Sequence, residues 1–99
     1  MATSYKKLDQ AVDLLKSLAH PVRLAILCHL MEHGDTCVGD LVAAVGKRAS
    51  QSHISQFLSA MKRDGLVSAR KEGVAVYYRL DSIRAAQVVR ALSKIYCGR

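Results

Sequence analysis

Few of the features that mark membrane, secreted or disordered chains are present in this sequence. It has no Trp and one Pro, and none of its apolar stretches approaches the ~18–20 residues that a membrane span needs. Its first residues lack the continuous apolar segment of a signal peptide. Apolar residues make up 51% of the chain, which is too many for a disordered one. We therefore expect a cytoplasmic protein that has no membrane partner.

Cysteine is also scarce. The chain has three, Cys28, Cys37 and Cys97, and in a cytoplasmic protein these are core thiols, metal ligands or redox groups rather than a disulfide framework. The 99 residues suffice for a single domain, 1–99, with a modest core. We find no Ser/His/Asp triad with supporting spacing, no Gly-rich phosphate loop and no pair of catalytic carboxylates. The sequence thus predicts no enzyme, no catalytic residue, no resident metal and no cofactor.

Acidic residues are outnumbered by basic ones, 8 to 15, which gives a net charge of +7. Between Lys47 and Arg79, seven Lys and Arg residues stand against two acidic residues, so this third of the chain carries +5 of the total. Such a concentration of positive charge favours a polyanionic partner over a role in solubility alone.

The stretch 50–65 has the pattern of a helix with two different faces. An apolar stripe recurs at i, i+3, i+4 and i+7, at Ile54, Phe57, Leu58 and Met61. Ser50 is a good N-cap and Gly65 a good C′ residue. The opposite face is short, hydrogen-bonding and cationic, and consists of Gln51, Ser52, Ser55, Gln56, Ser59, Lys62 and Arg63. Such a face suits a nucleic-acid groove, although a solvated amphipathic helix has the same pattern.

Three helices are expected before this one, over residues 4–18, Pro21–His33 and 37–45, the third of them capped by Thr36. The second is apolar nearly all round, which is typical of a central core helix. Two helices joined by a tight link that contains Gly46, the second with a polar face, form a helix-turn-helix.

After Gly65 the apolar period changes from 3.6 to 2. Residues 66–70 and 74–80 read as two strands around a Lys71-Glu72-Gly73 turn, and form a β-hairpin with cationic arms. Asp81 or Ser82 then caps a last helix that runs through Tyr96. The sequence therefore predicts a mainly α fold with one β-hairpin, a winged helix-turn-helix with five helices.

The first and last helices are too broadly apolar for the surface of a monomer. Pairing across a two-fold axis would hide both, and such a homodimer matches a palindromic operator in double-stranded DNA. The residues expected in this interface are Leu8, Val12, Leu15, Val88, Val89, Leu92, Ile95 and Tyr96.

The order of these elements resembles the ArsR/SmtB family of winged helix-turn-helix repressors, over residues 14–97. The resemblance is carried by LKSLAHPVRLAIL (15–27), VGDL (38–41) and SQSHISQFLSAMKRDGLVSARKEGVAVYYRL (50–80). It implies a homodimer that binds operator DNA and leaves it when an inducer binds.

The resemblance also implies which side chains contact DNA. Gln51, Ser52, Ser55 and Gln56 would face the major groove, and Arg70, Lys71 and Arg79 would be contacts from the wing. Ser50, His53, Lys62 and Arg63, on or beside the same polar face, complete the set of DNA-binding candidates. Phe57 departs from the family pattern, because relatives often have His there.

The inducer sites of the family fit this chain unequally. The arsenite-type site resembles a Cys-Val-Cys, and here the matching residues are Cys37-Val38-Gly39, without the second thiolate. The zinc-type site uses Asp and His on the last helix, and residues 81–99 contain no His. Cys28 in AILCHL and Cys97 in IYC resemble the persulfide- and redox-responsive branch, in which two thiols are bridged as a disulfide or polysulfide. The resemblance implies a switch at Cys28 and Cys97, with reactive sulfur or an oxidant as the inducer.

Other interpretations stay open at this point. Cys28 could be a small buried hydrophobe, and Cys97 a chain-end thiol without a role. Cys37 could join them in a three-thiolate site for a soft metal or arsenite, or His29 and His33 could take part in such a site. The domain could also be a winged-helix module that binds DNA or protein without specificity.

Overall fold

Helix α2 is the element around which the fold is arranged, since it packs against α1, α3, α5 and β3. The computed structural model describes residues 4–97. In chain order the elements are α1 (Tyr5–Leu18), α2 (Pro21–His33), β1 (Thr36–Cys37), α3 (Val38–Val45), a short 3₁₀ helix (Gly46–Arg48), α4 (Gln51–Arg63), β2 (Val67–Glu72), β3 (Ala75–Leu80) and α5 (Ile83–Tyr96). This confirms the winged helix-turn-helix with five helices. No helix in the described range has both the length and the apolar character to cross a bilayer.

Helices α2 and α4 begin where the sequence predicts, because polar side chains satisfy their first backbone N–H groups. The Oγ of Ser50 accepts a hydrogen bond from the backbone N–H of His53 at 3.2 Å. The Nδ1 of His20 accepts one from the N–H of Val22 at 3.1 Å, just ahead of Pro21 in the first turn of α2. These caps set the entry points of the core helix and of the helix with the polar face.

The core is one cluster of buried apolar side chains drawn from all five helices and from β2. Its largest fully buried side chains are Ile26, Leu27 and Leu30 of α2, Leu41 of α3, Ile54, Leu58 and Met61 of α4, and Val89 of α5. Burial of this stripe of α4 turns the opposite face of the helix outward. Three of the largest buried side chains belong to α2, which confirms its predicted role as the core helix.

Helices α1 and α5 keep large apolar side chains on the surface. The exposed ones are Tyr5, Leu8, Val12 and Leu15 of α1, and Ile83, Ile95 and Tyr96 of α5. Val88 and Leu92 are half-buried. The sequence prediction also places Val89 in this surface, and that part is wrong: Val89 is 0% exposed and belongs to the protomer's own core. It shares the inner side of α5 with Ala85 and Ser93, one turn away on each side.

Strand β1 is absent from the sequence prediction. It pairs antiparallel with β3, Thr36 opposite Tyr78 and Cys37 opposite Tyr77, and gives a sheet in the order β1-β3-β2. Thr36 is consequently buried in the sheet and does not cap α3; its hydroxyl donates to the carbonyl oxygen of Gly34 at 2.8 Å. Cys37 is the N-cap residue of α3, without a capping side-chain hydrogen bond.

The hairpin turn lies one residue later than expected. Glu72 pairs with Ala75, so the two turn residues are Gly73 and Val74 rather than Lys71-Glu72-Gly73. Gly73 has a φ of 62°, and a glycine with positive φ at the first position of a two-residue turn is typical of type II′. The side chain of Val74 is therefore at the exposed tip of the wing instead of in the strand.

The burial of Leu58 predicts a large stability difference between two neighbouring substitutions in α4. Leu58→Ala leaves a cavity in the core, and we expect a loss of about 2–5 kcal/mol in the free energy of unfolding. Ser59→Ala changes an exposed position and should stay within about 0.5 kcal/mol of the parent. Urea unfolding at one fixed protein concentration measures both, because self-association would make the midpoint depend on concentration. Equal losses in the two variants would contradict this packing.

Candidate DNA-binding surface and thiol site

The outward face of α4 is polar along its whole length. Ser50, Gln51, Ser52, His53, Ser55, Gln56, Lys62 and Arg63 are all exposed, while Ile54, Leu58 and Met61 are fully buried behind them. Helix α3 packs against α4 as the preceding helix of the helix-turn-helix. The buried stripe thus holds the helix rigidly, and its hydrogen-bonding face is free for a groove of DNA.

Phe57 packs α4 against the start of α2, a contact that is not predicted from the sequence. Its ring centroid lies 4.6 Å from that of His20, and the guanidinium carbon of Arg23 lies 5.2 Å from the ring centroid. The Nη1 of Arg23 also donates to the carbonyl oxygen of Ser17 at 3.5 Å, while its buried Nε has no hydrogen-bond partner. Stacking on an aromatic ring offsets part of the loss of that hydrogen bond. The departure from His at position 57 therefore serves packing in this chain.

The wing divides its cations between two faces of the sheet. Directly opposite residues of an antiparallel pair share a face. Arg70 lies opposite Tyr77 and Arg79 opposite Ser68, on one face, whereas Lys71 shares the other face with its opposite residue Val76. That other face also carries Val67, Ala69, Tyr78 and Leu80. Val67 is buried in the core. Since α4 packs on β2 and the core lies on this side, Lys71 projects from the same side of the sheet as α4.

Arg70 is held by two carboxylates. Its Nε is 3.0 Å from the Oδ2 of Asp35, its Nη1 pairs with Glu72, and its guanidinium carbon lies 4.9 Å from the centroid of the Tyr77 ring. Arg79 is engaged more loosely: its Nε donates to the Oγ of Ser68 at 3.0 Å. Both Arg70 and Arg79 remain exposed. The Nη2 of Arg79 lies 3.7 Å from the Oδ1 of Asp81. The wing therefore has two arginines on one face and Lys71 on the other, and both arginines have carboxylate partners.

The two cysteines implied as a switch lie near one another. Cys28 is half-buried on α2, and Cys97 is exposed directly after α5, which packs on α2. Burial raises the pKa of the Cys28 thiol, and the charges of Cys97 and then Glu32 raise it further. Both sulfurs are free thiols. At neutral pH Cys28 is thus protonated, while Cys97 is the sulfur that solvent reaches.

Cys37 lies elsewhere, in β1 opposite Tyr77 and on the face of the sheet that carries Arg70. Within residues 4–97 no three His, Cys, Asp or Glu side chains are grouped as ligands for a metal ion. The rings of His29 and His33 are close, with centroids 4.4 Å apart, but they have no such third group. The three-thiolate alternative therefore has no support in the described part of the chain.

A rigid helix with an exposed hydrogen-bonding face, a preceding helix and a cationic hairpin define a winged helix-turn-helix DNA-binding protein. Residues 20–69 match the family described as bacterial regulatory protein, arsR family. The chain is 38% identical over 94 residues to the biofilm growth-associated repressor of Xylella fastidiosa. The aligned region covers 95% of this chain and 80% of that protein.

A second relative is the transcriptional activator HlyU of Vibrio cholerae, 40% identical over 92 residues, with 93% of this chain and 82% of that protein covered. The solved structure of reduced HlyU from Vibrio cholerae N16961 has a TM-score of 0.86 to this chain at 40% identity, and covers 94% of this chain and 95% of that one. The protein therefore belongs to the ArsR family. It is a transcriptional regulator and not an enzyme, in a family whose members bind DNA and are typically dimeric.

The raised pKa of Cys28 predicts an order of alkylation. Iodoacetamide reacts with thiolates, so at neutral pH we expect it to label Cys97 before Cys28. Glu32→Gln removes a negative charge that raises the pKa of Cys28, and should speed labelling of Cys28 by about twofold. Asp40→Asn, an exposed carboxylate on α3, is the matched control and should change neither rate. Peptide mass spectrometry measures each site; faster labelling of Cys28 than of Cys97 would contradict this environment.

Proposed function

We propose that this protein is a homodimeric operator-binding regulator whose DNA affinity falls when Cys28 and Cys97 are bridged. The observation that carries the proposal is the packing of α5 on α2, which brings Cys97 near enough to Cys28 for its charge to act on that thiol. They belong to the core helix and to the end of a helix with an apolar surface. A bond between them would tie the core to the dimer interface.

In the DNA complex α4 lies in the major groove. Gln51 and Gln56 are suited to bidentate contacts with adenine, and Ser52 and Ser55 to either base or phosphate. All four side chains are exposed on one face of α4. Lys62, Arg63 and the wing cations contact phosphate, which gives affinity and register but no sequence information.

The dimer forms through α1 and α5. Leu8, Val12 and Leu15 are each 44–56% exposed although they are apolar, and Ile95 is 71% exposed. A contiguous apolar surface of this kind marks an interaction site. A two-fold axis through it would place two α4 helices on one side of the dimer, as a palindromic operator requires. We place the protein in the cytoplasm, where its DNA partner is.

The inducer is a persulfide or a comparable reactive sulfur species. The thiolate of Cys97 attacks the outer sulfur of R–S–SH; a new S–S bond forms at Cys97, the S–S bond of the donor breaks, and R–S⁻ leaves. The thiolate of Cys28 then attacks the Cys97 sulfur, forms the disulfide and expels HS⁻. The two thiols are oxidised and the transferred sulfur is reduced to sulfide. The attack by Cys28 is the slower of the two steps, because its thiol is protonated at neutral pH.

The resulting bridge acts on DNA binding through packing. Cys28 follows the fully buried Ile26 and Leu27. A displacement of its sulfur would therefore also displace the core helix. Helix α2 packs on α3, and α3 on α4. A covalent link from α2 to the end of α5 therefore changes the position of α4 relative to the dimer interface, and the spacing of two α4 helices sets the fit to two half-sites.

Serine substitutions test the thiol switch. Cys28→Ser and Cys97→Ser should each bind operator DNA like the parent and keep that affinity after persulfide treatment, whereas the parent loses about tenfold or more. Cys37→Ser is the matched control, since Cys37 lies on the sheet, and should respond like the parent. Fluorescence anisotropy with labelled DNA measures binding. Release of DNA from both Cys28→Ser and Cys97→Ser, as from the parent, would refute the switch.

The ion pairs of Arg70 generate a separate prediction on affinity. In the double variant Asp35→Asn/Glu72→Gln the guanidinium loses its two carboxylates and becomes free for phosphate, so binding should tighten by about threefold to tenfold. Adding Arg70→Gln to that variant should remove the gain. Asp9→Asn/Asp13→Asn, on α1, changes the net charge equally and serves as the control. Equal gains in the control, or a gain that survives Arg70→Gln, would show a general charge effect instead.

A further inference from the structure

Two histidines lie one helical turn apart at the end of α2. The ring centroids of His29 and His33 are 4.4 Å apart, and the ring planes are inclined at 36° to one another. His29 is half-buried, and the side chain of His33 is 59% exposed, so solvent reaches the pair. Neither the proposed DNA-binding surface nor the proposed thiol switch makes use of these rings.

The spacing of the rings matches two ligands at a right angle about one metal ion. A bond of about 2.0–2.1 Å from a metal to an imidazole nitrogen places the metal about 3.2 Å from the ring centroid. Two such rings have centroids about 4.5 Å apart at a right angle, and about 5.2 Å apart at a tetrahedral angle. The observed 4.4 Å agrees with the right angle. It therefore favours an ion with square-planar or tetragonal coordination over tetrahedral zinc.

The charges around the pair favour a cation in part. The Oε2 of Glu32 lies 3.9 Å from the Nε2 of His33. Helix α2 ends at His33, before Gly34, and the C-terminal end of a helix attracts positive charge. Two cations of α5, Arg90 and Lys94, line a groove with His33 and reduce this attraction. The two imidazole ligands must therefore supply most of the affinity.

We propose that His29 and His33 form a chelating site for Ni²⁺, independent of the thiol switch. Imidazole nitrogens suit Ni²⁺, whereas the reduced copper of a cytoplasm prefers thiolates. Within residues 4–97 no group of three His, Cys, Asp or Glu side chains surrounds a common point, so water fills the other coordination positions and the ion exchanges readily. Because residues four apart converge only in a helix, Ni²⁺ binds the folded chain and stabilises the last turn of α2.

Titration calorimetry of the untagged full-length protein with Ni²⁺ tests the site. We expect the affinity to fall about tenfold or more in His29→Gln and in His33→Gln, because each variant keeps a single imidazole. His53→Gln removes an exposed histidine of α4 and is the matched control, with parental affinity expected. No nickel binding by the parent, parental affinity in both α2 variants, or an equal loss in the control would overturn the inference.

A shifted pair separates chelation from a general effect of losing histidine. Ala25 is exposed and lies four residues before His29. Ala25→His/His33→Gln therefore moves the pair one turn back along α2, and should restore most of the affinity that His33→Gln loses. Ni²⁺ should also raise the melting temperature of the parent and of this double variant, but not that of His33→Gln. A double variant that folds, by circular dichroism, and binds no better than His33→Gln would contradict the chelate.

The thiols are excluded as ligands by a further variant. Cys28→Ser/Cys97→Ser keeps both imidazoles and should bind Ni²⁺ like the parent, and the parent complex should lack the intense sulfur-to-nickel charge-transfer absorption of a thiolate site. Loss of binding in this variant, or such an absorption in the parent, would assign the metal to the cysteines and overturn the inference. Nickel binding and release of DNA by persulfide are measured separately, so failure of one proposal leaves the result for the other intact.

Discussion

Four elements pack against α2, and the position of every other functional part depends on that burial. Ile26 and Leu27 have no exposed surface, and Leu30 has almost none. Removing an apolar side chain of this size from water contributes about 1.5–3 kcal/mol, so these three residues account for a sizeable part of the stability of a 99-residue domain. A helix that is buried on several sides cannot shift alone. Its neighbours α1, α3, α5 and β3 must move with it.

In the proposed function, this arrangement would let one small domain combine DNA recognition with a chemical sensor. The recognition face of α4 is fixed by its own buried stripe and by Phe57, whose ring packs on His20 at the start of α2. Cys28, the proposed sensor thiol, is on the same core helix, where burial raises its pKa. In the proposed function a local change at sulfur reaches the DNA-binding helix through contacts that already hold the fold together, without a separate signalling element.

Long periodic segments were predictable from sequence, and short or pairwise features were not. The bounds of α2 and α4 follow from apolar spacing together with Pro21, Ser50 and the glycines that end them. Strand β1 has two residues and hence no period, so only its pairing with β3 reveals it. The turn at Gly73 was shifted by one residue because alternation alone does not fix a register. Val89 was assigned to the wrong side of α5, which is apolar on both sides.

For the candidate site, the sequence was sufficient to identify the residues but not to predict which of them contact one another. It named the wing cations, but not that Asp35, far away in the chain, pairs with Arg70. It named Cys28 and Cys97 through resemblance, and the packing of α5 on α2 was needed to bring them together.

The location of both thiols within a single protomer has a consequence for stoichiometry. A dimer built through α1 and α5 would contain two complete switches, one in each protomer. Low inducer levels would then generate dimers with one bridged and one reduced subunit. Because a palindromic operator needs both half-sites occupied in register, a single event could suffice to release a dimer, and the fraction of free operator would rise before half of the subunits had reacted.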